Sequence, residues 1–246
     1  MMKAWRLALG LCCACIAWHA CAEPADYVYT PLVTAGEKEI DFKMGSSNTR
    51  NQPTESAASL GLGYGVNNWW FTEFYAKYKR ELNQDTQFDA WEWENKFQLT
   101  EQGQYPVDVG FLVEIERPID TTEGWELKWG PLFQAEKGKW QFNANFLFQR
   151  YFSATVPTNY QFLYQWQVKY RWTERLEYGL QGFGELGDAN NWTPPDQQTH
   201  RMGPAVFGRL PLGHGQALRY NAAWLIGAAP AAPDNTLRLQ VEYEFP

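Results

Sequence analysis

Beyond residue 22 the chain has no cysteine: Cys12, Cys13, Cys15 and Cys21 all precede it, so disulfides hold nothing that follows. Histidine is almost as scarce, with only His200 and His214 there, and methionine is limited to Met44 and Met202. Imidazole and sulfur supply most zinc and copper ligands, so no such centre and no cofactor is expected. Asp188 and Asp196 lack the spacing of a calcium loop. Basic residues number 21 against 28 acidic ones, a formal net charge of −7, which argues against nucleic acid as a partner. After the N-terminal region no apolar run approaches the roughly 18 residues of a membrane-spanning helix. The mean hydropathy of −0.50 looks like that of a soluble protein.

The N-terminus is different. Lys3 and Arg6 precede an apolar run from Leu7 to Trp18, and Ala20-Cys21-Ala22 forms a small-x-small site before Glu23. This pattern predicts a secretory signal peptide over residues 1–22. Trp18 and His19 speak against the alternative, lipid attachment at Cys21. Residues 23–37, with Pro24 and Pro31, are expected as a periplasmic lead-in, and residues 38–246 as one folded unit.

What the chain has in abundance is aromatic residues, 17% of the total, and they are not scattered. Trp140, Phe142, Ala144, Phe146 and Phe148 occupy every second position, with Gln141, Asn143, Asn145 and Gln149 between them. The pattern returns in Tyr160, Phe162, Tyr164, Trp166, Val168, Tyr170 and Trp172, interleaved with Gln161, Gln165, Gln167, Lys169 and Arg171. A period of two marks strands with one apolar and one polar face. A soluble strand usually runs about five or six residues, whereas a tilted strand crosses a bilayer in roughly 9 to 11. Averaging the two registers explains how a membrane protein can show low mean hydropathy.

About twelve such segments follow residue 37, an even number as bacterial barrels require. The fold class is therefore all-β, a transmembrane antiparallel up-and-down barrel. The sixth segment, from Trp125 to Ala135, is expected to be broken by Gly130-Pro131. Connectors alternate in length: Asn67-Asn68, Thr100 to Gln104, Glu136 to Lys139, Thr173 to Arg175 and Leu212 to Gly215 are short, and most of those between are longer. Periplasmic turns are short and outer loops long when both termini are periplasmic. Tyr64, Trp70, Phe97, Trp140, Trp172, Tyr243 and Phe245 fall at the periplasmic ends, and Tyr78, Trp125, Phe152 and Tyr160 at the outer ends, as interfacial girdles.

The inward register supplies the candidate site. It collects Glu73, Glu92, Glu94, Asp108, Glu114, Glu116, Glu126, Glu177 and Glu185 alongside Lys77, Lys79, Lys96, Lys128, Lys169, Arg171, Arg201, Arg209, Arg219 and Arg238, with an acidic wall on strands four to six and a basic one on strands eight to eleven. Two readings stay open. The charges form ion-pair ladders that fill a narrow barrel, or a gap between the acidic and basic walls forms a polar pore. Arg80, Arg117 and Arg150 sit in the outward register at the outer ends of strands, where lipopolysaccharide phosphates lie; rim arginines that merely snorkel are the alternative.

The ending Leu237-Arg238-Leu239-Gln240-Val241-Glu242-Tyr243-Glu244-Phe245 resembles the C-terminal strand of Gram-negative outer-membrane proteins. That resemblance implies an outer-membrane location and recognition by the barrel-assembly machinery. Pro246 departs from the pattern, which puts the strength of the signal in question. Ala232-Pro233-Asp234-Asn235-Thr236-Leu237-Arg238-Leu239 also resembles the end of small barrel transporters found beside aromatic-degradation pathways, a motif too short to imply a substrate.

The function expected first is passive passage or binding of small polar solutes. The alternative is a non-conducting structural or surface-interaction barrel, with the loop from Asp188 to Thr199 as contact site. A third, an outer-leaflet lipid enzyme, needs a serine beside its histidine. His200-Arg201-Met202 offers none two residues on, and His214 lies in a periplasmic Gly-His-Gly turn, so no enzyme is expected.

Overall fold

The computed structural model describes residues 23–81 and 84–246; the expected leader, residues 1–22, lies outside them. Twelve strands follow in order: β1 (Lys38–Asn48), β2 (Glu55–Asn67), β3 (Trp70–Glu81), β4 (Gln87–Gln98), β5 (Asp108–Pro118), β6 (Trp125–Lys137), β7 (Trp140–Phe152), β8 (Gln161–Thr173), β9 (Leu176–Asp188), β10 (Thr199–Gly213), β11 (Gln216–Gly227) and β12 (Asn235–Phe245). Each pairs antiparallel with its neighbours in sequence. β1 also pairs with β12, from Lys38↔Phe245 to Asn48↔Asn235, so the sheet closes and has no free edge.

Alternation decides which way each residue faces. On β1, Ile40, Phe42 and Met44 are exposed, whereas Asp41 and Lys43 are buried. The same inversion runs round the barrel, with Leu62, Phe74, Trp93, Phe146 and Leu239 on the outside and Glu73, Glu94, Gln141, Asn143 and Gln240 buried inside. An apolar exterior around a polar interior is the reverse of a soluble fold and is stable only with hydrocarbon outside. The protein is an outer-membrane barrel. Its girdle aromatics pair across strands: Trp140 meets Tyr170 edge-on at 5.0 Å and Tyr243 stacks on Phe245 at 5.6 Å.

Two local expectations need correction. Gly130-Pro131 does not break β6: the β5 side runs through Leu112↔Gly130 and Phe111↔Pro131, and only on the β7 side does the ladder skip from Trp129↔Phe148 to Leu132↔Asn145. A proline within a strand is tolerated where the ladder can be interrupted on one side. The connector at residues 99–107 has nine residues, while the other four on its side have two each. It is tied down rather than loose. Asp108 Oδ1 accepts the Gly103 N–H at 2.7 Å, and Thr100 Oγ1 accepts the Val109 N–H at 2.8 Å.

The larger departure concerns residues 23–34, expected as a lead-in outside the barrel. They run up the lumen from the periplasmic mouth. Gly36 N–H donates to the Gly65 carbonyl at 2.7 Å near that mouth, and Glu23 reaches Lys77 in the outer half at 3.0 Å. Val28 and Tyr29, adjacent in sequence, face opposite walls. Tyr29 joins the buried cluster of Leu112, Leu132, Leu147 and Leu163 on β5 to β8, and Val28 joins Phe183, Phe207 and Leu225 on β9 to β11. The physical reason is the presence of these apolar residues in the inward register. Left facing a water-filled lumen they would each forfeit burial, and the segment covers them.

Candidate functional site

The lumen has two parts. The outer half is filled. Lys77 Nζ lies 3.0 Å from Glu92, 2.5 Å from Glu116 and 3.0 Å from Glu23, and Lys128 lies 2.7 Å from Glu114 and 3.5 Å from Glu126. The N-terminal segment is bonded to the wall all round. Tyr27 Oη donates to Glu94 and Tyr29 Oη to Glu114, each at 2.8 Å. Asn145 Nδ2 donates to the Tyr29 carbonyl at 3.1 Å, and Arg201 Nη2 donates to the Glu23 carbonyl at 2.9 Å and lies 3.7 Å from Asp26. Room for the segment's backbone comes from inward glycines. A Cβ on Gly110 would lie 2.8 Å from Pro31 Cβ, and one on Gly45 would run into the Pro24 carbonyl.

The inner half holds a polar cavity of about 460 Å³ facing the periplasm. Its walls include Glu39, Asp41, Glu73, Lys96, Lys169, Arg171, Arg209, Arg219, Glu242 and Glu244, and Tyr27 and Thr34 of the segment form its roof and one side. Arg171 grips Glu136 with two bonds of 2.8 and 2.7 Å, Lys169 pairs with Glu177 at 2.7 Å, and Arg209 bridges Glu174 at 3.0 Å and Glu244 at 3.2 Å. Arg219 also pairs with Glu244. At the mouth, burial and then the neighbouring Glu244 push the Glu37 carboxyl above its usual range.

The inward residues named from sequence are therefore not one site. Lys77, Glu92, Glu114, Glu116, Glu126 and Lys128 form the outer hub. Glu73, Lys96, Lys169, Arg171, Arg209 and Arg219 line the inner cavity, and Glu94 spans both as the acceptor for Tyr27. Arg238 is buried away from the cavity, donating to Gln181 at 2.6 Å with its guanidinium over the Phe183 ring. Asp108 holds the 99–107 connector through Gly103 and meets no other charge of the set.

Sequence reasoning missed the segment's Glu23, Asp26, Tyr27 and Tyr29 and, on the wall, Glu39, Asp41, Lys43, Glu242 and Glu244. It also passed over an amide ladder linking β6 to β9. Gln134 accepts from Gln141 and Asn143, Asn143 from Gln167, and Gln167 from Gln181 at 2.7 Å.

Three carboxylates, Glu92, Glu114 and Glu116, have oxygens within 4.8 Å of one another, the spacing of a metal site. Lys77 and Lys128 already neutralise them, so ammonium groups stand where an ion would. Both ring nitrogens of His200 have partners, Tyr164 Oη at 2.8 Å and Gln198 Oε1 at 2.9 Å. At the outer rim Arg80 is exposed. Arg117 donates to the Gly124 carbonyl at 2.8 Å, and Arg150 lies over the Phe152 and Tyr160 rings at 5.0 and 4.7 Å.

No family model matches the chain, and no curated protein matches it. Solved structures do. An outer membrane channel from Pseudomonas putida F1 aligns with a TM-score of 0.56 at 12% identity, covering 91% of this chain and 98% of that one. The NanC porin aligns at 0.55 and 8% identity over 85% and 99%, and the translocator domain of the autotransporter NalP from Neisseria meningitidis at 0.52 and 9% over 87% and 89%. At such identities the likeness is one of fold, and it matches the closed twelve-strand sheet: this chain is built as small outer-membrane barrels are.

Proposed function

We propose that the barrel is a channel or binding barrel for small polar solutes, closed at rest by its own N-terminal segment. The observation that carries this reading is the inner cavity, open to the periplasm, lined by charges of both signs and roofed by residues 23–34 rather than by the wall itself. The roof is a separate piece of chain held by side-chain bonds and ion pairs, so it can leave without opening the β-ladder. Walls of both signs suit a zwitterion or a polar organic molecule better than a simple ion.

Planar-bilayer recording and liposome swelling test it, with the full chain compared against a variant lacking residues 24–33. The variant is expected to conduct and to admit small polar solutes several-fold better than the full chain. A folded variant that neither conducts nor admits solute would favour the second reading, a non-conducting structural or surface-interaction barrel, which the filled outer half of the lumen also supports. The loop from Asp188 to Thr199 would then be the contact surface, with Trp192 exposed on it. In either case the expected partners are outer-membrane lipid and lipopolysaccharide outside, and the barrel-assembly machinery at β12.

A further inference from the structure

The inner cavity has one corner in which carboxylates outnumber the cations placed to meet them. Asp41 stands directly across the ladder from Glu242, and Glu39 and Glu73 flank Gly63 from either side. The glycines leave the acids facing one another over bare backbone. A Cβ on Gly63 would lie 2.7 Å from Glu39 Cγ, and one on Gly61 would lie 2.5 Å from Glu73 Oε1. Like charges so placed repel.

Asp41 Oδ2 accepts from Tyr75 at 2.8 Å and Gln240 at 3.2 Å, but two other oxygens of the corner have no donor. Glu73 and Asp41 are only 3% and 1% exposed, yet Glu73 Oε1 and Asp41 Oδ1 accept no hydrogen bond, and both residues line the cavity. The cations at hand are Arg219, across the ladder from Glu242 and paired with Glu244, and two lysines, Lys43, 3.3 Å from Asp41, and Lys96. Both lysines sit on aromatic faces: Lys43 Nζ is 3.7 Å from the Tyr27 and Tyr75 ring centroids, and Lys96 Nζ is 4.9 Å from that of Phe71. The fold thus already seats ammonium groups against rings here, an arrangement that cations favour.

We propose that this corner binds a small organic ammonium ion arriving from the periplasm, whose N–H groups bond Glu73 Oε1 and Asp41 Oδ1 while its methylenes lie along Phe71. The inference rests on the reading of the inner lumen as accessible to solutes. A dehydrated divalent metal fits less well, because it needs oxygens that converge on one point. Among the described residues such a set is Glu92, Glu114 and Glu116, which lysines occupy. The corner's acids are spread along several strands, as the separate donors of an amine require.

The test is titration calorimetry of the full barrel in detergent micelles with spermidine, with magnesium chloride as competitor, on the unaltered protein and on Glu73→Gln and Lys96→Gln. Heat-dependent gel migration checks that each variant is folded. Saturable binding is expected, weakened roughly tenfold or more in Glu73→Gln by loss of a charge-assisted bond and strengthened in Lys96→Gln by removal of a competing cation. Absence of saturable binding, equal affinity in folded Glu73→Gln, or displacement by equimolar magnesium would overturn the proposal. Liposome swelling on the same preparations separates the two readings. Swelling without spermidine binding removes this site and keeps the channel, whereas binding without swelling keeps the site and removes free passage.

Discussion

The outer and inner halves of the lumen are lined by the same kinds of residue but balance their charges differently. In both, acids face acids across the ladder: Glu92↔Glu116 and Glu94↔Glu114 above, Asp41↔Glu242 and Glu39↔Glu244 below. Above, Lys77 and Lys128 stand between the acids, and the segment's tyrosines donate to Glu94 and Glu114. Below, arginines pair with Glu136, Glu174 and Glu244 near the mouth, while Glu73 and Asp41 keep oxygens without donors. A fully satisfied buried network rigidifies the fold, whereas a partly satisfied one carries the cost of its unpaired groups. On the proposed reading, closure belongs to the outer half and recognition to the inner.

The largest effect should come from breaking the outer hub. Lys77→Met leaves Glu23, Glu92 and Glu116 without their shared ammonium, and removing one partner of a buried ion pair typically costs about 3–5 kcal/mol. The measurement is the denaturation midpoint in micelles together with single-channel current. A lower midpoint and intermittent opening are expected, because the segment loses its anchor at Glu23. An unchanged midpoint would mean that the hub is hydrated and the two halves do not differ.

Next in size is Tyr29→Phe. It keeps the ring on Leu112, Leu132, Leu147 and Leu163 but removes the donor to Glu114, and leaving a buried acceptor oxygen without its donor costs about 1–3 kcal/mol. The expected readouts are a smaller fall in midpoint and faster hydrogen exchange across residues 24–33. No change in exchange would say that packing alone holds the segment.

The wall was legible in the sequence and the segment was not, for one physical reason. A strand in a barrel declares itself locally, because Ile40, Phe42 and Met44 must meet hydrocarbon while Asp41 and Lys43 must not. Even the turn Asn67-Asn68 follows from neighbouring residues, with Asn67 Oδ1 accepting the Trp69 and Trp70 N–H groups at 2.9 Å. Residues 23–34 are short, carry two prolines and are held in place by distant parts of the chain, so nothing in their own pattern says inside or outside. The signal lay on the wall instead. Leu112, Leu132, Leu147 and Leu163 on β5 to β8 and Phe183, Phe207 and Leu225 on β9 to β11 interrupt a polar register, and Gly45 and Gly110 leave gaps there. An inward leucine is a vacancy for a partner, and reading the inward register for apolar residues as well as charges would have predicted an occupant. The same emphasis on outward residues in β1 hid Glu39, Asp41 and Lys43.

A smaller effect sharpens the comparison from the inner side. The Glu37 carboxyl is raised above its usual range by burial and by Glu244, so its charged form is less stable in the folded barrel than in the unfolded chain. The sign follows by linkage: stability from this group is intact below the ordinary carboxylate pKa and falls as pH rises toward the raised folded value. Glu37→Gln should therefore raise the denaturation midpoint at neutral pH and leave it unchanged at low pH, where both forms are neutral. A variant less stable at neutral pH would show that Glu37 has a compensating cation and that the mouth is not acid-rich.

The smallest effect lies outside the lumen altogether. Arg117 and Arg150 each rest a guanidinium on a girdle aromatic, Trp125 at 5.1 Å and Tyr160 at 4.7 Å, and Arg150 keeps its Nε without an acceptor. Neither makes an ion pair among the described residues that would explain a charge facing lipid. The proposed acceptors are lipopolysaccharide phosphates, met by Arg80 as well. Replacing all three with Gln should lower the denaturation midpoint in lipopolysaccharide-containing bilayers and leave it unaltered in phosphatidylcholine, since exposed ion pairs contribute only about 0–1 kcal/mol each and need the anion present. Equal midpoints in both bilayers would reduce these arginines to snorkelling side chains, while conductance should be untouched in either case, because none of the three reaches the lumen.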